Sequence, residues 1–230
     1  MKVKAVVFDI AGTTVSDEGY VKDAFIRTFQ KNGLTISDEE ADSVMGYKKL
    51  QAIQILVSQN HLDWDSNKII QVNDDFAIEM KNIYSEVSIY PLPGVLETFE
   101  WLVRNNIPFG LNTGFTREIT NVVLNKVGWN ALRFASAVVC SDEVAEGRPS
   151  PFMIQKLLTQ FGITDPNECL KVGDTEVDIL EGRNAGCGCV VSVTTGSYPR
   201  ALLQNYEPDF IIDQMDELIP IISSYPSNNV

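Results

Sequence analysis

Short apolar runs recur along the chain, each ending on a polar residue and each separated from the next by an amphipathic stretch. Lys4-Ala5-Val6-Val7-Phe8, Phe109-Gly110-Leu111-Asn112, Ala137-Val138-Val139-Cys140, Leu170-Lys171-Val172-Gly173 and Val190-Val191-Ser192-Val193 are the clearest. Runs of four or five apolar residues are too short for buried helices and long enough for strands; alternation with helices is the pattern of a parallel sheet covered on both faces. A last short run, Phe210-Ile211-Ile212, extends that sheet. The predicted architecture is α/β, a doubly wound, Rossmann-like parallel sheet.

The alternation is interrupted once. From about Asp17 to Ser88 the periodicity is helical throughout, with breaks near Asn32-Gly33, Met45-Gly46 and His61-Leu62-Asp63. Tyr90-Pro91-Leu92-Pro93-Gly94 then stops any helix. A length of 230 residues suits one domain with a large insertion, or two modest ones. We therefore assign residues 1–15 and 90–230 to the α/β core and residues 16–89 to an inserted helical module.

Charge and composition narrow the partners. With 31 acidic against 18 basic side chains the net charge is -13, which repels nucleic acid and anionic membrane surfaces. No apolar run approaches the roughly 18 residues of a membrane helix, and Asp9 interrupts the N-terminal apolar stretch before it could serve as a signal peptide. A cytoplasmic location is the expectation. Cys140, Cys169, Cys187 and Cys189 show no CxxC spacing, and His61 is the sole histidine, so reduced thiols are expected and a zinc cluster is not. His61 lies in a polar turn, which leaves serine- and cysteine-hydrolase mechanisms without a base.

In sheets of this kind ligands bind beyond the carboxyl ends of the strands. Asp9-Ile10-Ala11-Gly12-Thr13, Asn112-Thr113-Gly114, Glu146-Gly147-Arg148-Pro149 and Gly173-Asp174-Thr175-Glu176-Val177-Asp178 all follow strand candidates and should converge. Carboxylates brought together repel unless a hard cation lies between them, and Mg²⁺ is the natural occupant, with Asp9, Asp174 and the Ala11 carbonyl as ligands. Asp178, four residues on, would support them from behind. Thr113, Arg148, Gly114 and the backbone N–H groups of Gly12 and Thr13 would cradle phosphoryl oxygens. Taken singly, Asp9 could be a turn carboxylate, Asp174 a helix cap and Arg148 a surface cation. Their joint occurrence in this order points to phosphoryl transfer.

Together with Thr113-Gly114-Phe115-Thr116-Arg117-Glu118, Gly147-Arg148-Pro149, Lys171-Val172-Gly173-Asp174-Thr175 and Glu181-Gly182-Arg183-Asn184-Ala185-Gly186, these residues resemble the haloacid dehalogenase superfamily, and within it the phosphonatase branch. The resemblance implies that Asp9 is a nucleophile, that the inserted module is a cap, and that the cofactor is Mg²⁺. It also raises a homodimer through the cap, as is common in the family. Most phosphatases of the superfamily carry a second Asp two places after the nucleophile as general acid and base; here that position is Ala11. Phosphonatases use instead a cap lysine that forms a Schiff base with the substrate aldehyde. Their Met-Gly-x-x-Lys pattern is met by Met45-Gly46-Tyr47-Lys48-Lys49, making Lys49 the Schiff-base residue and Met45 a substrate contact. The family histidine three places on is Ala52 here, so proton transfer would fall to water, Tyr47 or Lys48. Tyr20, Met45 and Tyr47 are the cap residues expected at the substrate. The implied substrate is a small phosphonate such as phosphonoacetaldehyde. A small phosphate monoester, or phosphate binding without turnover, are the alternatives.

Overall fold

The computed structural model describes residues 2–129 and 137–224. After β1 (Ala5–Phe8) come four helices, α1 (Tyr20–Lys31), α2 (Asp38–Asp42), α3 (Lys49–Gln59) and α4 (Ser66–Glu86). Strands and helices then alternate: α5 (Val95–Arg104), β2 (Phe109–Thr113), α6 (Arg117–Lys126), β3 (Ala137–Cys140), α7 (Phe152–Phe161), β4 (Cys169–Gly173), α8 (Glu176–Ala185), β5 (Cys189–Val193), α9 (Arg200–Gln204), β6 (Phe210–Ile212) and α10 (Leu218–Ser224). All six strands of the sheet are parallel, in the order β3-β2-β1-β4-β5-β6. Each strand run read from the sequence lies within one residue of an observed strand.

The sheet is buried on both faces, as its unbroken apolar runs require. Along β1 the side chains alternate: Val6 and Phe8 join a core that continues into the inserted helices, while Ala5 and Val7 pack with α7 and α8 residues such as Met153, Leu157 and Ile179. On the first face Phe8, Phe99 and Phe109 form an aromatic cluster, with Phe99 and Phe109 stacked at 4.4 Å between centroids.

The insert is tied to the sheet by two antiparallel connections. Val15 bridges Pro91, Ser16 N–H donates to the Tyr90 carbonyl (2.9 Å), and Leu92 N–H donates to that of Thr14 (3.1 Å). The helix breaks anticipated near residues 32, 45 and 61 fall between α1 and α2, α2 and α3, and α3 and α4 respectively. Within the insert, α1 and α4 pack through Phe25 and Phe76, whose ring centroids are 4.5 Å apart. His61 is exposed in the turn after α3.

Candidate active site

The strand order brings the motif residues together. β2, β1 and β4 are neighbours, so Thr113 at the end of β2, Asp9 just past β1 and Asp174 just past β4 stand side by side at one edge of the sheet. Arg148 reaches the same place from the loop between β3 and α7. A cavity is lined from the core by Asp9, Ala11, Thr113, Gly114, Arg148 and Asp174, and from the insert by Asp17, Met45 and Lys49.

Arg148 is only 1% exposed, and its guanidinium is almost fully engaged by the protein. Nη2 meets Asp9 Oδ1 at 2.6 Å and donates to Asn112 O and Oδ1; Nη1 meets Asp178 Oδ1 at 3.1 Å; Nε donates to Glu181 Oε2 at 3.2 Å. Lys171, equally buried in β4, shares three of these partners, reaching Asp178 (2.9 Å), Asn112 Oδ1 (2.8 Å) and Glu181 (3.4 Å). Asn112 in turn donates to both Glu181 oxygens. Burial works against the charge of Arg148, but Asp178, Asp9 and Glu181 outweigh it and hold the guanidinium above its ordinary range. Burial likewise favours neutral Asp178, yet Arg148 and Lys171 keep its carboxyl below the usual value.

The carboxylates that face the cavity behave differently. Burial raises Asp9 to about 6 despite Arg148, with the charge of Asp178 adding to the rise. Asp174 is pushed well up, first by burial and then by the charges of Asp9 and Asp178. Its oxygens are oriented by Thr13 Oγ1 (2.9 Å) and the Ser197 N–H (2.7 Å). Among the described residues no group of three or more His, Cys, Asp or Glu side chains is arranged to hold a metal. Two mutually repelling carboxylates beside Ala11 on a polar cavity nevertheless fit Mg²⁺, which needs only one or two carboxylates and keeps water or phosphate as its other ligands.

Lys49 opens α3, and its amine points inward. The residue is 5% exposed, and Nζ lies 5.3, 5.9 and 5.2 Å from the ring centroids of Phe25, Phe76 and Phe115. Burial lowers its pKa from 10.5 to about 8, against the opposing charges of Asp17 and Asp9. Lys48 turns the other way: its side chain lies over Gly147, outside the cavity. At Gly114 the insert meets the core closely, since a Cβ there would fall 2.5 Å from the Tyr47 carbonyl oxygen and 2.8 Å from that of Gly46. Backbone at such distances cannot yield, so glycine is required.

Several expectations change. The N–H groups of Gly12 and Thr13 are not available to a phosphoryl group, because the turn after β1 uses them on the carbonyls of Val15 (2.8 Å) and Ile10 (3.4 Å). Neither residue lines the cavity; the Thr13 hydroxyl acts through Asp174. Asp178 also lies behind the cavity, on Arg148, Lys171 and Thr175. Of the three cap candidates, Met45 lines the cavity. Tyr47 donates its hydroxyl to Glu176 (3.1 Å), and Tyr20 packs on Tyr84 with its hydroxyl on Glu18. Sequence reasoning overlooked Asp17 and the three phenylalanines around Lys49. Spacing offered no sign of the latter, which come from α1, α4 and the loop after β2.

A model of haloacid dehalogenase-like hydrolases matches residues 3–186, and the chain belongs to that family of hydrolases. Within it, the chain falls in the phosphonatase-like branch. It is 33% identical to a phosphonoacetaldehyde hydrolase of Bacillus cereus, over 86% of this chain and 78% of the relative. It is also 33% identical to one of Bacteroides fragilis, over 88% and 80%. Among solved structures, the fold resembles a phosphonoacetaldehyde hydrolase like protein from Oleispira antarctica, with a TM-score of 0.85 at 24% identity over 97% of this chain and 92% of that one. A predicted phosphoglycolate phosphatase from Haemophilus somnus shares the fold at a TM-score of 0.79 and 21% identity, over 96% and 98%. No helix among the described residues is long and apolar enough to cross a membrane.

Proposed function

We propose that this hydrolase cleaves the C–P bond of phosphonoacetaldehyde, or of a related 2-oxoalkylphosphonate, through a Schiff base on Lys49 and an aspartyl phosphate on Asp9. The observation that carries the reading is that the Lys49 amine and the Asp9 carboxylate, supplied by separate parts of the chain, face one cavity in which position 11 offers no carboxylate.

A carbon leaving group departs with an electron pair that needs a sink. Lys49, eased toward its neutral form by burial, attacks the aldehyde carbon, and loss of water leaves a protonated imine. The faces of Phe25, Phe76 and Phe115 stabilise the cation. When Asp9 attacks phosphorus, the C–P electrons flow into the iminium and carbon leaves as a neutral enamine. No proton from position 11 is needed. Arg148 holds one Asp9 oxygen and leaves the other for attack, while the Thr113 hydroxyl accepts from Phe115 N–H (3.1 Å) and retains its own proton for a phosphoryl oxygen. Mg²⁺ held by Asp9, Asp174 and the Ala11 carbonyl would supply the positive charge that offsets the phosphoryl oxygens. The enamine takes a proton from water at the carbon that left phosphorus and becomes an iminium again, and water then releases phosphate from Asp9 and aldehyde from Lys49.

A phosphatase acting on a small ester of good leaving-group ability is the second reading, favoured by the phosphoglycolate phosphatase fold neighbour. The deciding experiment treats the protein with borohydride in the presence of phosphonoacetaldehyde, alongside a panel of phosphate monoesters with and without Mg²⁺. Covalent trapping on the Lys49 peptide and Mg²⁺-dependent phosphate release from the phosphonate are expected. Phosphate release without trapping, or turnover confined to esters, would sink the first reading in favour of the second.

A further inference from the structure

We propose that Asp17 transfers the protons of imine formation at Lys49. The inference rests on the Schiff-base reading above and identifies the group that replaces the family histidine missing at Ala52. Ala52 is buried in the insert core and carries no proton-transfer group. Tyr47 and Lys48, the shuttles suggested by proximity in sequence, are turned to Glu176 and Gly147. Asp17, 32 positions before Lys49, lines the same cavity, and its charge is one of those acting directly on the Lys49 amine.

The carboxyl is held as a shuttle requires. Oδ1 accepts from the N–H groups of Tyr20 (2.7 Å) and Val21 (3.4 Å) at the start of α1, which fixes the side chain. Among the described residues no hydrogen bond engages Oδ2. Burial holds the carboxyl above its ordinary value even against those two N–H donors, so it takes up a proton more readily than an exposed aspartate. Tyr84, another ionisable group of this region, is pushed well up by burial and by the charges of Asp17 and Asp9, so it keeps its proton and is a poor acid.

The balance closes on one shared proton. The pair Asp17 carboxylate and Lys49 ammonium rearranges to carboxylic acid and amine. As the N–C bond forms, Asp17 gives its proton to the carbonyl oxygen and takes one from nitrogen, leaving a neutral carbinolamine. Asp17 then protonates the hydroxyl, the C–O bond breaks, water leaves, and the nitrogen lone pair closes the iminium opposite the regenerated carboxylate.

The bland alternative is that Asp17 only caps α1, and Asp17→Asn separates the two because the amide oxygen can still accept from Tyr20 and Val21. Pre-steady-state borohydride trapping with phosphonoacetaldehyde should slow by about 10²–10³-fold, while the melting temperature and competitive inhibition by inorganic phosphate stay close to wild type. In Asp17→Ala, added formate should restore part of the trapping rate. Trapping of Asp17→Asn at the wild-type rate, or no rescue of a slowed Asp17→Ala, would overturn the assignment and leave the Lys49 imine standing. Phosphate release from the wild type with no trapping would remove both together.

Discussion

Two buried cations border the cavity, and they are built in opposite ways. Arg148 is surrounded by acceptors: Asp9, Asp178, Glu181 and Asn112 all lie within hydrogen-bond or ion-pair reach. Lys49 is surrounded by rings, with Phe25, Phe76 and Phe115 around its amine and Asp17 and Asp9 acting only through space. Burial penalises both charges. At Arg148 the partners more than repay it; at Lys49 they do not, and the pKa falls to about 8. A cation that must stay charged and fixed is given partners, whereas an amine that must become a nucleophile is given desolvation.

The largest effect should come from removing the amine. Lys49→Met is expected to lower phosphonoacetaldehyde cleavage by about 10⁴-fold or more, the scale of deleting a covalent nucleophile, with borohydride trapping lost in the same variant. Residual C–P cleavage within tenfold of wild type would break the contrast, because Lys49 would then be a structural cation like its neighbour.

Removing the other cation should strike stability instead. Arg148→Met leaves Asp178, Glu181 and Lys171 with an incomplete buried network, and a loss of about 3–5 kcal/mol is expected in denaturant unfolding. The same operation at Lys49 should have the opposite sign. Its pKa is lowered from 10.5 to about 8, so below pH 8 both native and unfolded chains carry the proton and the whole burial penalty is present. Between those values the native protein has released a proton that the unfolded chain retains, so wild-type stability climbs with pH. Lys49→Met should therefore be more stable than wild type at pH 7 by about 1–2 kcal/mol, the desolvation penalty less the cation–π attraction of the rings. That advantage should vanish above about pH 10. Unfolding curves of both proteins at pH 7 and pH 10 check the sign and the window.

The smallest effect sharpens the division of labour. Ala11→Asp places a carboxylate on the cavity where related phosphatases carry their general acid. Ester hydrolysis should rise by about tenfold, less than the roughly 10²–10⁴-fold that a fully positioned acid–base group supplies, while C–P cleavage changes less than about twofold. A comparable rise in both, measured as kcat/KM on each substrate, would mean that the iminium is not the electron sink.

Much of the fold was legible because a doubly covered parallel sheet leaves a coarse signal. The runs at residues 5–8, 109–113 and 169–173 are buried on both faces, and each ends where a strand must stop and a polar residue can meet a ligand. Asp9, Thr113 and Asp174 stand at such ends and Arg148 in the loop after β3, and all four line the one cavity. The turn after β1 misled, since counting Gly12 and Thr13 as phosphate donors ignored that a tight turn uses its own N–H groups. Asn112, Lys171 and Glu181 lie in or beside the strand and motif stretches, yet nothing in their spacing says that they close a network around Arg148; that requires three strands and a helix to be adjacent.

What the sequence determined by itself is the list of strand-end carboxylates, because strands and turns are local matters of burial period and backbone freedom; the missing carboxylate at Ala11 and the Lys49 that follows Met45-Gly46 were legible only through the resemblance to a family pattern. Which lysine faces inward was decided only by tertiary structure. Lys48 and Lys49 are adjacent and chemically identical, and the packing of α1 and α4 together with the loop after β2 encloses one amine in rings while the other lies over Gly147. A pKa shift by desolvation belongs to the enclosure and not to the residue, so it exists only once distant segments have closed around the group.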